Sequence, residues 1–386
     1  MKPMRVCGLM SGTSLDGLDI AVADFQQVRD EIDYELVLFR TMPYSLELRV
    51  ALLELMDPAA PLQRVSSMNM YLGELYARLI REALVDSKID YSSIDLISSH
   101  GQTLWHEPEP LEQHRFARAN TLQIGDISAL AGFSGKPVIG DFRTRDIAAG
   151  GQGAPLVPLA DQTLFQSESE GRVLLNIGGI ANMTVIPTAG SERETLAYDT
   201  GPGNMIIDAF TSIHTEGRLA YDEGGQFAKA GKVSEGWLDQ LLSHPYFQLS
   251  APKSTGRELF GEVQAQLLWK QGDGYGLSAE DKIATVTMMA AVTIADEVNK
   301  FGESHELKNV FVSGGGVHNE TLIDFLRGLL PGMSLRQTAE IGIEGDAKEA
   351  FVFALLGYLG FHQQPNNLPA ATGADNTAVL GKIAWP

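Results

Sequence analysis

The first residues along the chain that could do chemistry lie in the stretch GLMSGTSLDGLDI, from Gly8 to Ile20. Its glycines let backbone N–H groups approach a ligand, and its Ser and Thr residues add hydroxyl donors. Asp16 and Asp19 offer carboxylate oxygens of the kind that Mg²⁺ binds. The same composition also suits a hairpin whose polar side chains only satisfy their own turn. The stretch therefore predicts either a phosphate-binding loop or a structural turn.

A second candidate is Asp199, in the segment YDTGPGN from Tyr198 to Asn204. Asp199 is predicted to end a short strand before a rigid turn of glycine and proline. A carboxylate held in this way could act as a general base on water or a hydroxyl group. It could equally cap the predicted helix MIIDAFTSI that follows.

Glycines also dominate the segment SGGGVHN, from Ser313 to Asn319. A strand that runs into three glycines and then a helix lets a base or a sugar lie against bare backbone, and the helix N-terminus favours anions. A tight strand-to-helix turn explains the pattern equally well. His318 could contact a nucleotide or lie at the surface.

Two further polar groups follow predicted buried strands. His100, in SSHGQT, stands at a strand end, where the sites of α/β proteins gather, although a structural, hydrogen-bonded histidine is the more frequent case. Arg143 and Arg145 lie in the predicted loop of GDFRTRDIAAGGQGAPLVP. In so acidic a chain they predict a clamp for a carboxylate or phosphate, with an interdomain salt bridge as the alternative.

Several function classes are disfavoured. The chain has no GxxxxGK[ST] segment, no GxGxxG after its first strand and no HRD, so P-loop, Rossmann and protein-kinase folds fail. GTSLD lacks the last glycine of an esterase nucleophile elbow. No histidine pair has zinc-ligand spacing, and Cys7 is the only cysteine, so neither a zinc site nor an intrachain disulfide is expected.

Strand and helix patterns alternate along the chain, which is typical of an α/β protein. RVCGLMSG and LDIAVADF predict a strand hairpin at the start, and VLLNIGGIANMTVI predicts a second hairpin of the same plan. We therefore expect two similar α/β domains, over residues 1–160 and 161–365. Residues 366–386 are expected to pack on the first.

Length and charge agree with this division. A chain of 386 residues exceeds the size of one core, so two domains are the default. The net charge of -20 argues against nucleic acid as a partner. No apolar run reaches the roughly 20 residues that span a bilayer, so no membrane association is expected. The start of the chain does not resemble an export signal, and a cytoplasmic protein is predicted.

Taken together, the motifs resemble those of the anhydro-N-acetylmuramic acid kinases. The resemblance runs from Gly8 to about Gly373 and rests on an ordered set: GLMSGTSLDGLD, SSHGQT, TLQIGD, DFRTRDIAAGGQGAPLVP, NIGGIAN, DTGPGN, PKSTGRE and SGGGVHN. Each motif alone is weak, whereas their order is specific. Only some spacers, such as residues 107–117, look individual.

The resemblance implies the actin-like ATPase and sugar-kinase fold, with two ribonuclease-H-like domains around a central cleft. It implies ATP and Mg²⁺ as co-substrate and metal, with a homodimer left open. The implied nucleotide-binding residues are Gly12, Thr13, Ser14, Leu15, Asp16, Gly17, Leu18, Asp19, Gly178, Gly179, Gly314, Gly315 and Gly316, with Asp16 as the metal ligand.

The family's reaction opens the 1,6-anhydro ring of anhydro-N-acetylmuramic acid while O6 is phosphorylated, giving N-acetylmuramic acid 6-phosphate for cell-wall recycling. Because the closed acetal has no free hydroxyl at position 6, water must attack the anomeric carbon. Asp199 matches the carboxylate that would deprotonate this water. Expected sugar-binding residues are Arg143, Glu349, Ser11 and His100.

Three alternatives to this reaction remain. They are a sugar kinase of the same fold that acts on a free hydroxyl, an ATP-dependent clamp without catalytic use of a sugar, and an esterase. ATP consumption with the anhydro sugar and with the ring-opened sugar separates the first from the family reaction. Slow ATP turnover that ignores any sugar would indicate a clamp, and hydrolysis without ATP an esterase.

Overall fold

The structure is a computed structural model that describes residues 3–12, 14–29, 31–110, 115–251, 253–338 and 347–386. The chain forms two compact units, one of Met1–Leu164 with Asp346–Pro386 and one of Phe165–Gly345. Within the described ranges, none of the helices combines the length and the apolarity needed to cross a bilayer.

The strands of the described residues are numbered in chain order. They are β1 (Met4–Ser11), β2 (Gly17–Val28), β3 (Glu31–Pro43), β4 (Leu96–Glu107), β5 (Asn120–Ile124), β6 (Val138–Gly140), β7 (Gly171–Ile177), β8 (Ile180–Ile186), β9 (Leu196–Pro202), β10 (Leu307–Ser313), β11 (Ser334–Gln337) and β12 (Lys382–Ala384).

The helices of the same residues follow in the same order. They are α1 (Leu46–Leu55), α2 (Leu62–Asp86), α3 (Ile127–Ser134), α4 (Phe142–Ala148), α5 (Val157–Phe165), α6 (Met205–His214), α7 (Gln226–Ala230), α8 (Glu235–Leu242), α9 (Arg257–Phe260), α10 (Glu262–Gly274), α11 (Ala279–Asn299), α12 (Glu320–Leu329), α13 (Lys348–Phe361) and α14 (Pro369–Thr372).

The sheet of the first unit has the order β12-β6-β4-β1-β2-β3, with β5 paired to β4. β1, β2 and β3 form an antiparallel meander, in which Met4 pairs with Phe25 and Gly17 with Pro43. β4 lies parallel to β1 and β6 lies parallel to β4. β1 and β6 therefore end beside Gln102 and Ser99 of β4, and β4 continues to Glu107, where it pairs with β5. Sites of α/β proteins gather where parallel strands such as β1 and β6 end.

The sheet of the second unit has the order β11-β10-β7-β8-β9. Here too the first three strands form an antiparallel meander, and β10 and β11 continue in parallel beyond β7. The order and the directions of these five strands repeat those of β6, β4, β1, β2 and β3. The prediction of two similar α/β units is therefore confirmed.

Helix α13 packs on the sheet of the first unit. Gly8 of β1 lacks space for a Cβ atom because the Ala350 carbonyl and Ala354 lie against it. Phe351 meets Phe25 of β2 with ring centroids 5.4 Å apart. The sequence assigned this helix to residues 161–365, and the structure corrects that boundary, since the chain returns to the first unit at residue 346.

Each unit has its own apolar core. In the first, β1 and β2 bury residues such as Leu9, Leu18 and Ile20 against α2. In the second, α11 is buried on most of its sides by β9 and by the helices α6, α7, α8 and α12. It begins with a capping box in which Ser278 and Asp281 satisfy each other's backbone N–H groups. The predicted loop around Arg143 is instead the helix α4.

Candidate functional site

Buried polar side chains form hydrogen bonds at the turn between β1 and β2. The Ser11 hydroxyl, in a residue that is 1% exposed, contacts the Gln102 side-chain oxygen and lies 2.9 Å from the Tyr44 hydroxyl. The amide nitrogen of Gln102 lies 3.3 Å from the Gly12 carbonyl oxygen, to which it donates. The Ser11 hydroxyl is thus held by these internal bonds, and its expected sugar contact stays a prediction.

The glycines of this turn differ in the space around them. A Cβ atom on Gly12 would meet nothing closer than the Ser14 hydroxyl oxygen at 3.6 Å, so the backbone lies open at this point. On Gly17 it would collide with the Met42 carbonyl. Gly17 is therefore required by strand packing, whereas the space above Gly12 is free for a ligand.

The other residues predicted for this turn also differ in their exposure. Ser14 is exposed, while Leu15 and Leu18 have side chains at most 1% exposed in the first core. Their side chains cannot reach a nucleotide, so only their backbone atoms could contact one. Thr13 lies outside the described residues.

Two carboxylates flank the turn. Asp16 is 68% exposed and pairs with Arg49 at 3.3 Å, and Asp19 accepts a hydrogen bond from the Thr41 hydroxyl at 2.5 Å. Among the described residues there is no cluster of three or more His, Cys, Asp or Glu that could hold a metal ion. Mg²⁺ commonly keeps its waters and binds one or two carboxylates together with substrate phosphates. Asp16 and Asp19 fit such a site, which the nucleotide would complete.

His100 lies inside β4 rather than at the predicted strand end, and it contacts Arg143 of α4. The Arg143 Nε group donates to His100 Nε2 at 2.9 Å, and its Nη1 group donates to the Gly153 carbonyl at 2.7 Å. Burial, with the charge of Arg143 second, lowers the pKa of His100 to about 3. The imidazole is therefore neutral at pH 7 and accepts through Nε2, so its proton is on Nδ1. His100 thus orients Arg143, and its own expected sugar contact stays a prediction. The bonds from described residues leave Nη2 of Arg143 uncommitted.

Glu349 completes the charged cluster in the first turn of α13. Desolvation by the surrounding protein, and then the charge of Asp19, raises its pKa, whereas Arg143 and Lys348 oppose the rise. Asp19, Arg143 and Glu349 therefore interact electrostatically and form the charged cluster of the first unit. Arg145, by contrast, is exposed two residues after Arg143.

Asp146 is a residue of this region that the sequence analysis missed. It is fully buried, and its carboxylate accepts from the Gly153 N–H at 2.8 Å, from Asn367 at 3.0 Å and from Thr372 at 2.8 Å. It thereby ties the glycine-rich loop after α4 to the C-terminal segment. The Gly153 carbonyl that receives Arg143 is fixed as a consequence.

In the second unit, the β7–β8 turn is the pair Gly178 and Gly179. The Gly178 carbonyl accepts from the Asn204 N–H at 2.8 Å, and the Gly179 carbonyl accepts from Gly203 and Met205 at 2.9 and 3.1 Å. The turn therefore holds the start of α6 through its carbonyl groups. A Cβ atom on Gly178 would meet nothing closer than 3.4 Å, so this backbone is also accessible.

The SGGG segment packs beside that turn. Cβ atoms on Gly314 and Gly316 would collide with the β7 backbone or side chain at Ile177. Gly315 instead has 3.7 Å to its nearest neighbour, the Asn204 amide, and is exposed. Two of the three glycines thus serve packing, and Gly315 is the open one. His318 lies exposed in the short 3₁₀ helix that follows.

Asp199 lies inside β9, three residues before the strand ends, and the N-cap of α6 is Asn204. The alternative in which Asp199 caps that helix is therefore excluded. Its Oδ2 atom accepts from the Ser254 hydroxyl and the Thr255 N–H, both at 3.0 Å. Burial raises the pKa of Asp199, these two bonds lower it, and Glu258 raises it further, with a net upward shift.

The segment that holds Asp199 is KSTGRE, from Lys253 to Glu258, whose residues had no assigned role in the sequence analysis. Because both bonds from described residues fall on Oδ2, the other oxygen, Oδ1, is available to a reacting group. A half-buried carboxylate with a raised pKa and one uncommitted oxygen has the properties of a general base. The sequence signal that could have found the segment is its cluster of small hydroxyl residues and glycine between charges.

The two units thus carry accessible glycine turns, a charged cluster and a positioned carboxylate, as expected of a phosphotransferase that acts on a polar substrate. Comparison with known proteins makes this specific: the family model for anhydro-N-acetylmuramic acid kinase matches residues 4–386. The chain belongs to the anhydro-N-acetylmuramic acid kinase family.

Relatives with that name align over almost their entire length. The anhydro-N-acetylmuramic acid kinase of Caldanaerobacter subterraneus subsp. tengcongensis is 39% identical over 381 residues, covering 98% of this chain and 96% of the relative. That of Bacillus cereus strain AH820 is 40% identical, with 99% and 100% covered.

Among solved structures, the ADPNP-bound activator of 2-hydroxyisocaproyl-CoA dehydratase from Clostridium difficile is similar at a TM-score of 0.42. It shares 12% identity, over 92% of this chain and 94% of its own. Nothing about the site follows from so distant a likeness.

Proposed function

We propose that this chain is an ATP-dependent kinase that converts 1,6-anhydro-N-acetylmuramic acid to N-acetylmuramic acid 6-phosphate. Membership of the family supports the substrate, and the Asp199 carboxylate, positioned by Ser254 and Thr255, carries the chemical assignment. The reaction consumes one ATP and one water. Its proposed place is the cytoplasm, where ATP is available, in the recycling of cell-wall sugar.

In the proposed step, Asp199 takes a proton from water as the water oxygen forms a bond to the anomeric carbon C1. The C1–O6 bond breaks, O6 forms a bond to the γ-phosphorus of ATP, and ADP leaves. The proton on Asp199 then passes to solvent. Oδ1 is the atom proposed to receive the proton, since Oδ2 is engaged by Ser254 and Thr255. General-base assistance of this kind contributes about 10²–10⁴-fold.

The open glycines are the proposed phosphate and nucleoside contacts. Gly12 in the first unit, and Gly178 and Gly315 in the second, have room for a ligand against the backbone. Backbone N–H groups at such turns stabilise the charge of a transferring phosphoryl group. Gly17, Gly314 and Gly316 are assigned to packing instead.

Mg²⁺ is proposed to bind Asp16 or Asp19 together with the phosphates of ATP. When bound, the ion neutralises negative charge on the β- and γ-phosphates. The chain's own contribution is to hold these carboxylates in place, Asp16 beside Arg49 and Asp19 beside Thr41.

The charged cluster of the first unit is the proposed binding region for the sugar. Arg143 is fixed through Nε and Nη1, which suits Nη2 to the lactyl carboxylate of the substrate. Glu349 is proposed to accept hydrogen bonds from sugar or water. His100 has the supporting role of orienting Arg143.

Product analysis tests the proposed function. ATP, Mg²⁺ and the anhydro sugar should yield ADP and the 6-phosphate in equal amounts, and the ring-opened sugar should support much slower ADP formation. Faster turnover of the ring-opened sugar would instead identify a kinase for a free hydroxyl.

A further inference from the structure

A buried ion pair lies beneath the segment that holds Asp199. The Lys253 ammonium group lies 2.6 Å from Glu297 Oε1, and the two side chains are only 2% and 4% exposed. Glu297, near the end of α11, also accepts from the Tyr198 hydroxyl at 3.0 Å and pairs with the half-exposed Lys300 at 2.8 Å. Glu297 therefore joins α11 to Tyr198, which precedes Asp199 in the chain, and to Lys253, the first residue of the segment that holds the Asp199 carboxylate.

Lys253 and the neighbouring Tyr246 also make hydrogen bonds to the backbone of Asp199. The Asp199 N–H donates to the Lys253 carbonyl at 3.0 Å, and the Tyr246 hydroxyl donates to the Asp199 carbonyl at 2.7 Å. The Lys253 ammonium group also lies 5.0 Å from the centre of the Tyr246 ring. Ser254 and Thr255, which bind Oδ2, come directly after Lys253 in the chain. Backbone and hydrogen bonds thus connect Lys253 with the Asp199 carboxylate.

A gain in folding stability does not by itself explain why this ion pair is buried. Burying two charges costs desolvation energy that their attraction often does no more than offset, and apolar replacements are frequently neutral or stabilising. A buried pair that is kept despite this cost fixes one arrangement of the groups around it in some proteins. Here the groups around it are those that orient Asp199.

We propose that Lys253 and Glu297 are positioning residues, which set the orientation of the Asp199 carboxylate by fixing the Ser254–Thr255 segment against it. The inference rests on the proposed role of Asp199. The titratable groups that also face Asp199 are Glu258 and Tyr246. Replacing Lys253 removes the cation above the Tyr246 ring. It does not directly change the contacts of Glu258.

The test uses the double variant Lys253→Met/Glu297→Gln, which removes both charges at nearly constant volume and leaves a side-chain amide oxygen at position 297 to accept from Tyr198. We expect a fall in kcat of at least about tenfold with KM for ATP within about twofold. The acid limb of the kcat profile should move to higher pH, because looser bonds from Ser254 and Thr255 stabilise the Asp199 carboxylate less and its pKa rises. A merely structural pair would lower the melting temperature and leave the kcat and pH profile of the folded enzyme unchanged.

The single variant Lys300→Met is the matched control, since it removes the exposed partner of Glu297 and touches neither Asp199 nor its holding segment. Its kcat should stay within about twofold of the wild type. A loss equal to that of the double variant would overturn the inference, because the effect would then follow the charge balance of Glu297 in general.

Asp199→Asn, measured in the same series, separates this inference from the proposed function. Near-wild-type turnover of that variant overturns the role of Asp199 and the inference with it. If Asp199→Asn is inactive while Lys253→Met/Glu297→Gln keeps wild-type kcat and acid limb, the inference alone is wrong.

Discussion

The β1–β2 turn of the first unit and the β7–β8 turn of the second occupy the same place in two sheets of the same strand order, yet they are built differently. The first is a loop of five residues, 12–16, with exposed Asp16, held from beneath by Gln102. The second is a pair of glycines whose carbonyls hold α6. The shared topology positions a glycine turn in each unit, and local sequence decides what else the turn carries.

The chemistry around the turns also differs. In the first unit the neighbouring groups are Arg143, Glu349 and Asp19, charges of both signs suited to binding. In the second unit the candidate group is Asp199, which pairs with Asn182 of β8 and whose pKa is raised by burial. Under the proposed function, the first unit binds the sugar and the second supplies the general base. Substitutions in the two units test this division, from the largest expected effect to the smallest.

The largest effect is expected for Asp199→Asn. The amide cannot accept a proton from water, so kcat should fall at least about a hundredfold, while ATP affinity and the circular dichroism spectrum stay unchanged. Asp208→Asn is the control, because burial raises the pKa of that carboxyl group of α6 to about 6 without contact to the Ser254 segment. An equal loss in both variants would indicate a general effect of carboxylate removal in this unit.

Arg143→Ala should act on sugar binding. Loss of a charge-assisted hydrogen bond of about 1.5–3 kcal/mol corresponds to roughly tenfold or more in the sugar KM, with a smaller change for ATP. Arg143→Lys keeps the charge but loses the guanidinium group that His100 and Gly153 hold. Its sugar KM should lie between that of the wild type and that of Arg143→Ala. An effect confined to the ATP KM would move Arg143 to the phosphate site.

Gly12→Val and Gly17→Ala test whether a glycine of the β1–β2 turn leaves room for a ligand or is required by strand packing. Gly12→Val fills open space, so ATP affinity should fall about tenfold, or about 1.4 kcal/mol, with little change in melting temperature. Gly17→Ala collides with the Met42 carbonyl and should cost roughly 1–3 kcal/mol of folding free energy. Calorimetry of ATP binding and thermal unfolding measure the two effects, and unchanged ATP affinity in Gly12→Val would make the turn structural.

Ser254→Ala should give the smallest effect, a shift in pH dependence. The Ser254 hydroxyl bond lowers the Asp199 pKa, so removing this bond should raise that pKa. Asp199 must be deprotonated to act as a base, so the acid limb of kcat/KM for the sugar should move to higher pH. Ser243→Ala, at an exposed position after α8, should leave the limb in place.

Local patterns were sufficient to predict the two hairpins and the helix α6, whereas α4 was predicted as a loop. Glycine between apolar residues predicts the β1–β2 and β7–β8 hairpins. The placement of α13 was not predictable in this way, since it depends on the fit of Gly8 against Ala350, from opposite ends of the chain.

The candidate site was predicted in its residues more than in its contacts. Asp199, Arg143 and Glu349 were predicted from motifs, and their roles stay predictions. Ser11, Leu15 and Leu18 were predicted with them and are buried, which the sequence pattern did not reveal. Asp199 meets Ser254 across 55 positions of the chain, a contact that no local pattern encodes. Burial, and with it the direction of the Asp199 pKa, becomes visible only in the folded unit.

The most direct test of the account is a single-turnover reaction in water labelled with ¹⁸O, followed by mass spectrometry of the sugar phosphate. If water attacks the anomeric carbon, the label appears in the hydroxyl group at C1 and the phosphate stays unlabelled. Unlabelled product held in the same water for the same time corrects for exchange at C1. Label in the phosphate, or product without label at C1 beyond that exchange, would contradict the account.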